Sequence, residues 1–182
     1  MEYKILTESE RQFFSLVSRA AFVNPFSRQR LNLDKEIIGD SHNRPWEQIV
    51  PQVINEVDLR ISRLDSDGIA KLQDFAPQDR RFIEHLFLFD IFHKFKDSFD
   101  SLIVKQCENS AATLCVDFAD KAIEMLVSRG FTLESSKRFF SLFYQLRRAF
   151  YFIDRGLIGD CDAMRQLRCD LWNNIFTHDI LF

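Results

Sequence analysis

The sequence predicts an all-α fold, a bundle of about seven helices with mostly antiparallel neighbours. Three observations carry this. Apolar residues recur at three- and four-residue steps along most of the chain. Gly (5) and Pro (4) are scarce in 182 residues, too few for the closely spaced turns of an all-β protein. Helix start and stop signals also flank the periodic segments where they are needed.

Thr7-Glu8-Ser9-Glu10 is a capping box, in which the Thr7 hydroxyl accepts from the Glu10 amide and the Glu10 carboxylate reaches back. Behind it Phe13, Leu16, Val17, Ala20 and Ala21 follow helical spacing. Asn24-Pro25-Phe26-Ser27 ends that helix, and Ser27 caps a second one that runs to Gly39. Pro45 suits the start of a third helix reaching Leu64, with Ile49, Val53, Val57, Ile61 and Leu64 inward and Pro51 near its beginning. Asp65-Ser66-Asp67-Gly68 reads as a turn, followed by a short helix through Phe75.

Pro77 opens what reads as the longest helix, to about Glu108, with Phe82, Leu86, Phe89, Phe92, Phe95, Phe99 and Leu102 in register. Leu86 to Phe92 alone resembles a buried strand, but helical spacing on both sides decides for helix. A helix from about Thr113 ends at Arg129-Gly130, with Gly130 at the left-handed position. Thr132 caps the next, which carries Phe139, Phe143, Leu146, Phe150 and Ile153 on one side and stops at Gly156. Asp160 or Asp162 starts a last helix through Leu167, Leu171 and Ile175.

Hydrophobic residues make up 46% and charged residues 28%, which excludes a disordered chain, a collagen-like repeat and a coiled-coil rod. The net charge of −3 supplies no field for capturing nucleic acid, so no direct nucleic-acid contact is expected. The N-terminus has no basic start followed by an apolar run, and Leu86–Phe92 is short and contains Asp90. A cytoplasmic protein with no membrane association is expected. Cys107, Cys115, Cys161 and Cys169 form no C-x-x-C pair and lie at no zinc-finger spacing with His, so they read as reduced thiols filling small apolar gaps.

Twenty residues are Phe. At helical spacing they suit a bundle interior better than a ligand cavity, although an apolar ligand carried in a Phe-lined cavity is a second reading.

Asp90-x-x-His93 sets a carboxylate and an imidazole on one helical face, a spacing used in di-iron bundles, with His85 and Glu84 one to two turns away. A metal-dependent enzyme or sensor built on Asp90, His93 and His85 needs a second copy of the motif, and the chain has none. Asp90 also aligns with Lys94, Asp97, Ser101 and Lys105, which reads as a solvated stripe. No G-x-S-x-G elbow, G-x-x-x-x-G-K-[ST] loop or G-x-G-x-x-G loop occurs, so no catalytic role and no cofactor is expected of this chain. Arg147 shares a face with Phe140, Tyr144 and Tyr151. Its guanidinium can stack on those rings, pair with a carboxylate from another helix, or bind an anionic ligand, which makes Arg147, Tyr144 and Tyr151 candidate ligand residues.

From Gly156 the chain reads Gly156-Leu157-Ile158-Gly159-Asp160-Cys161-Asp162-Ala163-Met164-Arg165-Gln166-Leu167-Arg168. This resembles the opening of the AAA+ domain of bacterial sigma-54-dependent transcription activators, which begins with a hydrophobic residue, Ile-Gly, a few polar residues and Ala-Met-x-x-Leu/Ile-Arg. Leu157-Ile158-Gly159 and Ala163-Met164-x-x-Leu167-Arg168 match; Cys161-Asp162 stands where Ser-Pro is usual. The continuation Leu171-Trp172-Asn173-Asn174-Ile175-Phe176-Thr177-His178-Asp179-Ile180, with Asn24-Pro25-Phe26-Ser27 and Gln145-Leu146-Arg147-Arg148-Ala149-Phe150 upstream, is similar to one subgroup of these activators that carries a helical N-terminal region.

The resemblance implies a helical signal-sensing domain over 1–155, and over 156–182 a linker and first helix leading into an ATPase domain, the chain being cut before the nucleotide site. ATP hydrolysis, the contact with sigma-54 RNA polymerase and DNA binding would then belong to the parent protein. The partners implied are the chain's own AAA+ domain and an unknown small-molecule or protein signal. Gly156, Leu157, Gly159 and Trp172 are expected to couple the two domains. Leu171, Trp172, Ile175, Phe176, Ile180, Leu181 and Phe182 would form an apolar patch that favours a homodimer.

Overall fold

In the computed structural model, which describes residues 3–40, 44–109 and 114–176, the chain is all-helical. The described residues form α1 (Glu8–Phe22), α2 (Arg28–Ile38), α3 (Trp46–Leu64), a 3-10 turn (Leu72–Asp74), α4 (Arg80–Lys94), α5 (Lys96–Glu108), α6 (Ala119–Ser128), α7 (Leu133–Gly156) and α8 (Asp162–Ile175). Among them there is no strand, only an isolated parallel bridge between Lys4 and Phe75. None of these helices is long and apolar enough to cross a membrane.

The chain divides into two compact units. One comprises Met1–Asp90 with Ser128–Gly130, and the other Ile91–Val127 with Phe131–Phe182. The first change of unit falls inside α4, and 156–176 belongs with α7 in the second unit.

In the first unit, Thr7 and Glu10 form the reciprocal capping box, with Thr7 N–H donating to Glu10 Oε2 at 2.7 Å. Ser27 caps α2, and Gly39 ends it at φ +65° with its N–H on Glu36 and Lys35 carbonyls. α2 packs against both α1 and α3. Phe14, Val17, Ile49, Val53, Phe75, Ile83 and Phe87 form an interior almost closed to solvent. The helix of α3 continues through Pro51.

Three carboxylates tie the unit together. Asp79 accepts from Arg11 Nε at 2.8 Å and from the Leu6 N–H at 3.2 Å. Asp34, fully buried, accepts from Arg30 Nε at 2.9 Å and from Trp46 Nε1 at 3.0 Å. Asp65 receives both terminal nitrogens of Arg129, at 2.5 and 2.8 Å, and the Arg129 guanidinium lies 4.6 Å from the Phe87 ring centre.

In the second unit α7 packs against α5 and α8. Phe99, Phe118 and Phe140 form a ring cluster, with Phe99–Phe118 centroids 5.0 Å apart and Phe118–Phe140 5.8 Å apart. Thr132 caps α7 by accepting from the Ser135 N–H at 3.1 Å.

Several expectations change. The long helix after Pro77 is two helices, because Phe95 leaves the helical conformation at φ −104° and ψ 5°. Phe92, Phe95 and Phe99 keep helical spacing across the break, so the pattern conceals it, and α7 is the longest helix. The helix expected from Thr113 starts at Ala119, because a turn at Asp117-Phe118 precedes it and Phe118 turns its ring onto Phe95 and Phe99. Thr113 itself lies outside the described residues. Asp90 is buried, not part of a solvated stripe. Cys107, Cys115 and Cys161 are exposed rather than gap-filling, and none of the four cysteines is in a disulfide. Gly156 is the last helical residue of α7; the chain turns away at Leu157, which is extended.

Candidate functional site

The helix α7, the strap 157–161 and α8 bring together most of the residues that sequence reasoning singled out. α7 is nucleated by the Thr132 cap and carries aromatic residues along its length. α8 has no side-chain cap at Cys161, and its first turn holds Asp162 paired with Arg165 at 2.8 Å.

Arg147 takes one of the roles left open for it. Its Nε and Nη2 donate to the two carboxylate oxygens of Asp100 on α5, the second at 2.6 Å. The guanidinium lies 4.7 Å from the Phe150 ring centre, not over Phe140, Tyr144 or Tyr151. Tyr144 donates to Gln106 Oε1 at 2.7 Å, which ties α7 to α5 a second time. Tyr151 lies under Arg155 at 4.7 Å. Thus Arg147 and Tyr144 join helices, whereas Tyr151 belongs to the outer aromatic and cationic face of α7. Asp100 and Gln106 have no local sequence signal, since the pairing spans 47 and 38 residues.

The strap is held by a residue that sequence reasoning quoted only as part of a motif. Arg168 on α8 donates from Nη2 to the carbonyls of Leu157 at 2.6 Å and Gly159 at 2.9 Å. Its residue is 8% exposed, its Nε has no hydrogen-bond partner, and no carboxylate pairs with it among the described residues. A buried guanidinium satisfied only by neutral carbonyls keeps an uncompensated charge.

Gly159 sits at φ +116°, a backbone conformation that side chains resist, while a Cβ there would meet Met164 Cγ at an ordinary 3.5 Å. Its backbone angle, not lack of space, therefore calls for glycine. Trp172 is buried one turn beyond Arg168 and stacks obliquely on Phe176 at 4.6 Å. On the outside, Ile158 is 91% exposed, and Leu167, Leu171 and Ile175 are also exposed. The rest of the expected patch, Ile180, Leu181 and Phe182, lies outside the described residues.

Between α7 and α8 runs an open groove of about 440 Å³, walled by Ala149, Phe152 and Ile153 on one side and Leu171 and Ile175 on the other. Leu157 also lines it, and Arg148 is its one charged lining residue among the described residues.

The alternative metal residues are placed differently. His85 belongs to the first unit, where its Nδ1 lies 2.6 Å from Ser18 Oγ and its ring meets Phe22 edge-on at 4.5 Å. Burial, aided by the nearby Arg81 charge, lowers its pKa to about 4, so the ring is neutral near pH 7. Burial likewise raises Glu84, against the pull of Arg81. Asp90 is buried, and His93, three residues on in the same helix, meets the Phe92 ring at 5.2 Å. Among the described residues, no three His, Cys, Asp or Glu side chains form a group that could hold a metal ion.

Comparison with known proteins finds no matching family model, no matching curated protein and no matching solved structure.

Proposed function

We propose that this chain is the regulatory, signal-sensing part of a bacterial sigma-54-dependent transcription activator, and that its last two helices act on an adjoining AAA+ ATPase domain. One observation carries the reading. The residues that resemble the opening of such an ATPase domain, Leu157-Ile158-Gly159 and Ala163-Met164-x-x-Leu167-Arg168, form a strap and the start of a helix fastened to each other through Arg168. The exposed apolar side chains of that segment, Ile158 and Leu167, face outward, where a neighbouring domain can cover them.

On this reading the chain is not itself an enzyme and works in the cytoplasm. Hydrolysis, polymerase contact and DNA binding reside elsewhere in the parent protein. Control requires a signal that binds two arrangements of α7 and α8 with different affinity, because a ligand with equal affinity for both shifts nothing. α7 leads directly through Gly156 into the strap, so a displacement of α7 reaches α8 through Leu157 and Gly159. An exposed apolar seam of this kind also favours self-association of the isolated chain.

The test uses the parent protein. Its ATPase rate is compared with that of a form lacking residues 1–155 and of a form with a flexible Gly-Ser insert between Gly156 and Leu157. A change of roughly fivefold or more on deletion, reproduced by the insert, is expected. Unchanged rates in both forms would refute the proposal.

A further inference from the structure

We infer that the groove between α7 and α8 binds a small apolar carboxylate, its chain lying along the walls and its head group at Arg148. The site stands on the geometry; calling its occupant the signal rests on the regulatory reading above.

Two observations define the ligand. The walls are apolar, with Phe152, Ile153, Leu171 and Ile175 facing a space of about 440 Å³, within the range of small-molecule sites. Among the described residues, Arg148 is the one charged residue lining this space. Its guanidinium makes only a distant contact with the Phe152 ring, 6.0 Å from the centre, and no carboxylate bond among the described residues.

Arg168 adds a second positive charge. It lies one turn before Leu171 on α8, buried and paired with no carboxylate among the described residues, holding the carbonyl of the groove residue Leu157. Elsewhere in this unit Arg147 shows the ordinary arrangement, a guanidinium capped by the Asp100 carboxylate. Arg148 therefore sets a positive charge beside apolar walls, and an amphiphilic anion matches both. A neutral ligand of the same shape would fill the walls and leave Arg148 as it is.

The arrangement also links occupancy to the strap. Leu157 lines the groove and gives its carbonyl to Arg168. A ligand seated against Leu157 bears directly on the contact that fixes 157–159 to α8.

Decanoate and decanol, titrated into the 182-residue chain below their aggregation limits and followed by calorimetry, test the inference. Decanoate is expected to bind saturably at one site per chain, and decanol roughly tenfold more weakly. Arg148→Gln removes an exposed side chain with no hydrogen bond to lose, so the fold is retained; it should weaken decanoate roughly tenfold and leave decanol unchanged. Leu171→Glu, which carries a charge into the wall, should abolish binding of both.

Equal affinity for the two probes, decanoate binding unaffected by Arg148→Gln, or no saturable binding would overturn the site. So would a stable dimer that buries the groove, seen by light scattering. These results leave the regulatory reading standing. Conversely, an ATPase unaffected by deletion of 1–155 refutes that reading and leaves the binding result intact.

Discussion

The α1–α3 end of the first unit and the strap with α8 in the second each bury an arginine, Arg30 and Arg168, and the two have different partners. In the first, Arg30 and Arg11 reach Asp34 and Asp79, so each buried carboxylate has a guanidinium and further N–H donors. In the second, Arg168 is as buried as Arg30, yet among the described residues it bonds only to backbone carbonyls, and Arg148 lines an apolar groove. Paired charges fix one arrangement. Unpaired charge beside exposed apolar residues leaves a region able to gain free energy from something that binds there.

The largest expected effect separates these two uses. Asp34→Ala leaves Arg30 buried without its anion and Trp46 Nε1 without its acceptor, and should cost about 3–5 kcal/mol in urea unfolding. Arg168→Met gives up two carbonyl bonds but removes an uncompensated buried charge, and should change stability by no more than about 1 kcal/mol. Equal losses from the two would erase the contrast.

The two glycines at the end of α7 and in the strap sharpen it further. Gly159→Ala forces a side chain to φ +116° and should cost about 1–2 kcal/mol. Gly156→Ala, in ordinary helical backbone with open space around it, should be neutral or stabilise by about 0.5 kcal/mol. Thermal melts of the two variants make the comparison.

Acid affects the first unit through two groups in different windows. The folded pKa of His85 is lowered from 6.5 to about 4, so the native state resists taking up a proton that the unfolded chain accepts. Its contribution is full above pH 6.5 and is lost as pH falls from 6.5 to 4, by about 1 kcal/mol once solvent screening of a half-buried ring is allowed for. His85→Gln should flatten the stability profile in that window. Asp79, held below its usual range chiefly by the Arg11 hydrogen bonds, contributes above pH 3.8, and its contribution is lost only at lower pH.

A small loss is expected of Arg147→Lys, which replaces a bidentate pair with Asp100 by a point charge. It should cost about 0.5–1 kcal/mol, measured by urea unfolding.

What was legible in the sequence was local. Thr7 with Glu10, Ser27, Thr132, Gly39 and Gly130 mark helix ends through contacts within a turn, and the structure has each in that role. The all-helical class follows because those signals agree with the apolar spacing. The break at Phe95 was hidden because its neighbours keep the same spacing on both sides.

The site was legible only in part. The motif located the strap, and Arg147 was identified as a residue seeking a partner. That partner, Asp100, and the Ser18 contact of His85 depend on packing between distant segments, which no spacing encodes. The burial of Arg168 was equally invisible, since on periodicity alone an arginine in a short amphipathic helix reads as solvated.

The central claim, that this helical module feeds a nucleotide-driven domain through its strap and last helix, is tested most directly by the reading frame of the gene past Phe182. The account predicts a strand followed by a Gly-x-x-x-x-Gly-Lys-Ser/Thr phosphate loop within roughly the next twenty residues. A stop codon directly after Phe182, or a following region with no such loop, would contradict it.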